Sequence, residues 1–190
     1  MAYELSENAL VTLDQAKAYL RIDGSENDEI IAMMIDAATR KTEDHCSSFW
    51  VKREITETHI GDGKQNLNLR RMPIVEVDSV TLDGDELTDY VERLSMGRLY
   101  RSVWSRGAEI VVTYTAGYGE AMEYGYEGEL QQLVPDAVLA VLAAVGEWYN
   151  RRFGATSESV SGIGSVTYGD EDELPASAKA KLTALRQRVI

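Results

Sequence analysis

The periodicity of the apolar side chains changes twice along the chain, and this pattern constrains the fold more than any other feature. Apolar residues recur at helical spacing in residues 13–46, alternate with polar residues in much of 50–118, and return to helical spacing after residue 134. Short alternating runs that follow one another at hairpin distances favour an antiparallel sheet. We therefore expect an α+β fold, in which a helical bundle carries an inserted small antiparallel β domain.

The N-terminal part of the bundle, residues 1–49, is expected to be a helical hairpin. Thr12 and Gln15 have the spacing of a capping box, which predicts a helix that starts there and ends near Gly24. A second helix is expected from Ser25 to about Cys46, because acidic residues occupy its first turn and an apolar stripe follows.

Three alternating runs predict the strands of the inserted domain, residues 50–118. The runs cover residues 54–60, 75–82 and 109–115, and each one is followed by glycine-containing turn residues. Turn chemistry at these positions separates the strands and supports the antiparallel arrangement.

The remainder of the chain is expected to return to helices. Residues 119–154 predict an acidic loop and a long core helix, which begins at Pro135 and stops at Gly154. Residues 155–174 are rich in Gly and Ser and end in an acidic run, so we expect a flexible linker. A C-terminal helix is expected over residues 175–190. The predicted buried face of the long helix comprises Val138, Val141, Leu142, Val145 and Tyr149.

Charge and composition exclude several classes of protein. The chain has 190 residues, 44% of them hydrophobic, which is enough for one domain or two small ones. Its 32 acidic and 19 basic residues give a net charge of −13, which disfavours a protein that coats nucleic acid. A membrane span of about 18 apolar residues and a secretory signal are both lacking. The single cysteine excludes an intrachain disulfide and is consistent with a reducing compartment. From these features together, we expect a soluble, intracellular protein.

Signatures of catalysis, metal binding or cofactor binding are incomplete throughout. His45 and Cys46 are consecutive on a predicted helix and point in different directions, whereas helical metal ligands need spacings of three or four. His59 belongs to another element, and the glycine-rich segments match neither a nucleophile elbow nor a dinucleotide fingerprint. We expect no enzyme, cofactor or metal. A small hydrolase that uses surface carboxylates is the alternative from another class.

One candidate interface lies near the end of the long helix. Its residues are of types that are over-represented in binding hot spots: Trp148, Tyr149, Arg151 and Arg152. The alternative is that the aromatic residues are core and the arginines complement the helix dipole.

A second candidate interface is the C-terminal helix, in which every charged side chain is basic: Lys179, Lys181, Arg186 and Arg188. A tethered amphipathic helix with charge of one sign is suited to docking. The alternative is an ordinary solvated face.

An ordered series of segments resembles a known family. The segments are TLDQAKAYLRID at residues 12–23, NDEII at 27–31, PIVEVDSV at 73–80, VVTYTAGYG at 111–119, VPDAV at 134–138, WYNRR at 148–152, and the closing helix after LP at 174–175. In this order they resemble head–tail connector (adaptor) proteins of tailed bacteriophages, of the gp6-like and gp8-like type.

This resemblance implies a structural virion protein made in the host cytoplasm and located in the neck. Such connectors form a ring, usually dodecameric, that docks beneath the portal protein, extends the DNA channel, and receives the tail or stopper. The implied partners are other copies of the chain, the portal, and a stopper or tail-completion protein. Double-stranded DNA would pass through without specific binding, and no membrane is involved. By position, residues 175–190 correspond to the segment that reaches into the portal. Another neck component, a stopper or tail-completion protein, is the alternative.

Overall fold

The computed structural model of the protein describes residues 3–119, 134–151, 157–160, 164–167 and 174–186, in two units. The first unit comprises Met1–His45 and Met122–Leu185, and the second comprises Cys46–Ala121 and Arg186–Ile190. The first unit holds the helices, and the second holds two antiparallel sheets. The expected α+β fold class is confirmed.

The described helices are four: α1 (Leu13–Leu20), α2 (Asp28–Cys46), α3 (Pro135–Arg151) and α4 (Ala176–Leu182). The capping box that predicts α1 is present, because Gln15 N donates to Thr12 Oγ1 at 3.1 Å and Thr12 N donates to Gln15 Oε1 at 2.9 Å. The helix ends before Gly24, since Arg21 adopts a left-handed conformation with φ 57° and its N–H bonds back to Ala18 O.

Helix α2 begins three residues later than expected. Residues 25–27 form a turn in which Ser25 O accepts a hydrogen bond from Asp28 N at 3.2 Å. The segment before α1 lies along α2, an arrangement that the sequence patterns do not predict. Ser6 N donates to Asp36 Oδ2 at 3.1 Å, and Leu10, which is fully buried, donates its N–H to Thr39 Oγ1 at 3.3 Å.

Helix α3 packs against α1 and α4 through a face that is rich in small residues. Its buried residues are Ala137, Ala140, Val141, Leu142, Ala144, Val145 and Gly146. A Cβ on Gly146 would lie 3.1 Å from Tyr19 Cε1, so glycine permits the close approach of α1. Of the five residues predicted to be buried, Val138 and Tyr149 are only half-buried, because alanines occupy the centre of the face.

The described residues of the second unit form seven strands. They are β1 (Arg53–Ile60), β2 (Asn66–Asn68), β3 (Ile74–Leu82), β4 (Asp85–Glu86), β5 (Val91–Arg93), β6 (Arg98–Tyr100) and β7 (Glu109–Ala116), with a 3-10 helix at Leu94–Met96. One sheet has the order β1-β7-β3-β4 and the other has the order β2-β6-β5. The three strands expected from alternation are confirmed as β1, β3 and β7.

The core of this unit lies on one face of the larger sheet. Along β7, Ile110, Val112, Tyr114 and Ala116 alternate inward and are fully buried. They pack with Phe49, Leu67, Leu69, Met72, Ile74, Val80, Leu99 and Trp104. Burial of each large aliphatic side chain contributes about 1.5–3 kcal/mol.

The segment that forms the two sheets begins and ends at neighbouring points. Lys52 N donates to Gly119 O at 2.7 Å, and Val51 and Gly119 form an isolated parallel bridge. The chain therefore enters and leaves the sheets at neighbouring points.

The region expected to be a flexible linker, residues 155–174, contains regular structure. Two strands, β8 (Ser157–Val160) and β9 (Gly164–Thr167), pair antiparallel within it, so the expectation from its Gly and Ser content is corrected for this part. The final helix is shorter than the expected 175–190, because α4 ends at Leu182 and a turn follows. The expected acidic loop at 120–133 and the expected stop at Gly154 lie outside the described residues.

Candidate interaction surfaces

At the end of α3, Arg151 is engaged by its own helix. Its guanidinium forms an ion pair with Glu147, one turn earlier, and its side chain is only 11% exposed. Tyr149 is half-buried, and Arg152 lies outside the described residues. Arg151, one of the four predicted interface residues in this segment, is therefore already neutralised by a carboxylate of its own helix.

Trp148 differs from its neighbours. Its indole Nε1 is buried and has no hydrogen-bond acceptor in the part of the chain that the structure describes. Buried indole N–H groups usually find an acceptor. A buried donor is out of reach of a partner, so this N–H does not itself favour an interface; Trp148 is half-buried and stays a candidate on the strength of its residue type.

The basic residues predicted on the C-terminal helix are not all on α4. Lys179 and Lys181 lie on α4, Arg186 groups with the second unit, and Arg188 is outside the described residues. The apolar face of α4 is occupied, because Ala178 and Leu182 are fully buried and α4 packs against α3. Docking by α4 as it stands in the structure would therefore use its two lysines, of which Lys181 is exposed and Lys179 is half-buried. They are two positions apart and lie on different sides of the helix.

Cys46 is an inert thiol in this structure. It is fully buried at the end of α2, and burial raises its pKa to about 11, while the charge of Arg186 acts in the opposite direction. A thiol with a raised pKa is mostly protonated and weakly nucleophilic at neutral pH. Across the described ranges, no group of three His, Cys, Asp or Glu side chains is arranged to hold a metal ion.

The second unit contains a buried polar cluster centred on Glu57, which the sequence patterns do not predict. Glu57 is 4% exposed and points inward from β1. Its Oε1 accepts a hydrogen bond from Tyr114 Oη at 2.6 Å, its carboxylate accepts from Arg70 N at 3.2 Å, and its Oε2 lies 2.9 Å from His59 Nε2. Arg71 N donates to Tyr114 Oη at 3.1 Å, which links the cluster to the loop before β3.

Burial and hydrogen bonding have opposite effects on the pKa of Glu57. Burial favours the protonated form of Glu57, but the hydrogen bonds from His59, Tyr114 and Arg70 outweigh burial and lower its pKa. Burial and the hydrogen bond to the Glu57 carboxylate both raise the pKa of Tyr114. The cluster thus contains an ionised carboxylate whose hydrogen bonds tie β1, β7 and the 70–71 loop together. In the sequence, Glu57 occupies an inward position of an alternating strand. A glutamate at such a position indicates a buried cluster of hydrogen-bond partners.

The smaller sheet has an unusual pair of charges on its outer face. Leu67 and Leu99 point into the core, so the residues on either side of them in the strands face the other way. There the register places Asn68 beside Arg98, and Arg98 directly opposite Arg93. We call these three residues the arginine row.

Neither arginine of this row forms an ion pair with a carboxylate of the residues that the structure describes. The guanidinium of Arg93 lies over the ring of Tyr100, with Cζ 4.5 Å from the ring centroid. The Nε of Arg98 is buried and lacks an acceptor among the residues that the structure covers. By contrast, Arg101 nearby in the chain forms a bidentate pair with Asp89, at 3.0 Å for both hydrogen bonds.

None of the described helices is long and apolar enough to cross a membrane.

Comparison with known proteins assigns this arrangement to a family. A family model described as "HCP: Head completion protein" matches residues 9–187, which includes both units. No curated protein sequence matches the chain.

Solved structures with the same fold come from gene transfer agent (GTA) particles. A chain in the neck of an empty GTA particle, computed with C6 symmetry, has a TM-score of 0.65 and 15% identity, with 99% of this chain and 95% of that chain covered. A chain in the virion of the native GTA particle has a TM-score of 0.67 and 15% identity, with the same coverage. A chain in the neck of the native particle, computed with C12 symmetry, has a TM-score of 0.55 and 15% identity, with 96% of each chain covered.

Proposed function

Because the chain belongs to the head completion protein family, we propose that it is a structural component of the virion neck and acts there as a head-to-tail adaptor. In this role, copies of the chain form a ring beneath the portal, extend the DNA channel, and provide the docking site for the tail or stopper. The family places the chain among structural proteins of the particle and not among enzymes.

The observation that carries the proposal is the extent of the family match. It covers residues 9–187 of a chain of 190 and so includes the helices and the inserted sheets alike. The adaptor role and its place in the neck are supported by the resemblance to gp6-like and gp8-like connectors and by the fold shared with chains of GTA necks computed with C6 and C12 symmetry. A dodecameric ring is the assembly that we propose.

The charge of the chain suits a conduit for DNA. Each copy carries a net charge of −13, and a closed ring of copies multiplies that charge around one axis. Affinity for DNA comes mainly from neutralised phosphates, so an acidic wall lets DNA pass without retaining it.

Contact with the portal is assigned to the C-terminal region and to the end of α3. Lys181 offers an exposed charge, and Lys179 lies on the same short helix. Trp148 is half-buried and offers part of an aromatic side chain at the end of α3. Arg151 is held by Glu147 and supports the helix end in this scheme.

A second neck role, as a stopper or tail-completion protein, is the competing function. The family description names completion of the head and does not specify the neighbour in the neck. The two roles differ in one contact, because an adaptor touches the portal directly.

Electron cryomicroscopy of necks from purified particles tests the proposal. The expected result is a ring of copies of this chain in direct contact with the portal. A ring separated from the portal by another protein supports the stopper role, and absence from the particle, or presence only at the tail tip, overturns both.

The assigned portal contact is tested by charge reversal. Lys179→Glu with Lys181→Glu is expected to reduce chemical cross-linking to the portal, because the two substitutions reverse both charges of α4. Deletion of the helix is a poorer test, since Ala178 and Leu182 are part of the core. The matched control reverses Lys64 and Arg106, two exposed residues of the second unit. Equal cross-linking in both variants contradicts the assignment to α4.

A further inference from the structure

The arginine row breaks a rule of sheet pairing. Like charges directly opposite each other on neighbouring strands destabilise a sheet, yet the register places Arg93 opposite Arg98. The strands are joined by a short turn, the 3-10 helix Leu94–Met96 followed by Gly97, which fixes this register. The arrangement is unfavourable for an isolated chain and becomes favourable when an anionic group binds to both guanidinium groups.

Arg98 is the less accessible arginine of the row, and its Nε lies inside the chain, so an external group would reach the row through the exposed Arg93 and the rest of the Arg98 guanidinium. The buried Nε has no acceptor among the described residues, and such a donor carries a desolvation cost. A carboxylate satisfies a guanidinium with two parallel hydrogen bonds and neutralises its charge. Asn68 completes the row on the third strand and adds a neutral amide beside Arg98.

Apolar groups surround these charges. Val91 is 56% exposed and faces the same side of the sheet as the row, and Met96 in the connecting turn is 61% exposed. Together with Tyr100, they give the surface both apolar area and positive charge, a combination found at protein interfaces.

The chain itself carries a surface of complementary chemistry. Residues 1–45 hold ten acidic and four basic side chains. Within them, Asp23, Glu26 and Glu29 are exposed. Close in sequence, at the start of α2, Ile30 is 38% exposed and Met33 is 50% exposed. We call residues 23–33 the acidic turn.

On the basis of the proposed ring, we propose that the arginine row of one copy binds the acidic turn of a second copy. The contact is heterologous, because it joins two different surfaces, and repetition of such a contact closes a ring when the rotation between copies permits. Charge complementarity favours a carboxylate partner over DNA phosphate, since each copy supplies 32 acidic residues and an overall charge of −13 that repels DNA.

The test is a charge swap in the full-length chain, with assembly measured by sedimentation velocity and by cross-linking between copies. Arg93→Glu with Arg98→Glu is expected to raise the concentration needed for half-assembly by at least about tenfold, which corresponds to the loss of one good charge pair. Adding Asp23→Lys and Glu26→Lys to the same chain is expected to restore assembly. Lys64→Glu with Arg106→Glu changes the net charge equally and is expected to assemble like the wild type.

A photo-crosslinking residue at Met96 provides an independent readout. It is expected to attach to residues 23–33 of a second copy. If Arg98 reversal prevents folding, Arg93→Glu alone serves as the test variant, because Arg93 is exposed. Circular dichroism verifies that each variant is folded.

Other outcomes of these experiments would overturn the inference or the proposed ring. Normal assembly of the reversed chain, or cross-links from Met96 only to other regions, overturns the inference while the ring stands. Binding of a short DNA duplex that is lost on reversal of Arg93 identifies the row as a phosphate site and also overturns it. A wild-type chain that is monomeric in solution and never cross-links to a second copy in particles overturns the proposed ring itself.

Discussion

Tyr114 Oη on β7 donates a hydrogen bond of 2.6 Å to Glu57 Oε1 on β1, inside the core of the second unit. The two residues are 57 positions apart in the sequence, so the bond closes a long loop. Because Glu57 also accepts from Arg70 N, one carboxylate holds two strands and a loop in register.

Glu57→Gln is expected to lower the free energy of unfolding by about 1–3 kcal/mol, because the amide replaces one acceptor oxygen with a donor in a buried site. Chemical denaturation of the full-length chain measures the change. Glu54→Gln is the control, since Glu54 is exposed on the same strand. Equal stability of the two variants would contradict the anchoring role of Glu57.

Tyr114→Phe and Glu57→Gln are expected not to be additive. Phenylalanine removes the donor and glutamine replaces the ionised acceptor with a neutral amide, so both substitutions act on the same hydrogen bond. The double variant should therefore be less destabilised than the sum of the single variants by about 1–2 kcal/mol. Tyr114→Phe also leaves Arg71 N without its acceptor, so the single variant should be destabilised as well. Additive effects would show that the bond contributes little.

Acid should destabilise the second unit through Glu57. Its pKa is lower in the folded chain than its ordinary value, so the unfolded chain binds the proton first as the pH falls. The stabilisation is present above the ordinary glutamate pKa of about 4.3 and is lost as the pH falls through the folded-state value. Unfolding measured between about pH 6 and pH 3 should have a weaker pH dependence in Glu57→Gln than in the wild type. An unchanged slope would exclude Glu57 as the titrating group.

Thr12→Ala is expected to cost about 1 kcal/mol of stability, because it removes the acceptor for Gln15 N at the start of α1. Thr12→Ser retains a hydroxyl at the same position and should be close to the wild type. Thermal denaturation compares the two variants. A serine variant as unstable as the alanine variant would attribute the effect to packing and not to the cap.

Leu182→Ala is expected to loosen α4, since it removes a fully buried side chain, at a cost of about 2–5 kcal/mol. Hydrogen exchange should increase in α4 and in the buried face of α3. Lys181→Ala, which alters an exposed neighbour, should leave exchange unchanged. Unaltered exchange in Leu182→Ala would mean that α4 is not held by its apolar face.

The elements that the sequence predicts are those that repeat a pattern over many residues. The capping box at Thr12 and the alternation along β7 specify a local structure whatever surrounds them. Strands of three residues, such as β2, β5 and β6, are too short to show a period, so the smaller sheet and its arginine row are visible only once the register is known.

Interaction residues were harder to predict, because their environment depends on distant parts of the chain. The aromatic and basic composition near Trp148 singles out the segment, yet only the structure reveals that Arg151 is paired with Glu147 and that the indole of Trp148 lacks an acceptor among the described residues. The sequence pattern predicts four basic residues on one helix, whereas α4 ends at Leu182 and holds only Lys179 and Lys181. The periodicity of the apolar residues does not predict the residue at which this terminal helix ends.

The hydrogen bond between Lys52 N and Gly119 O has a consequence for how this kind of protein can change. A segment whose two ends touch can grow, shrink or be exchanged with little effect on the chain outside it, because the closure of the loop does not depend on what it encloses. The helices and the sheets are therefore free to diversify at different rates, and a new recognition surface can be acquired on the sheets without redesign of the helical scaffold.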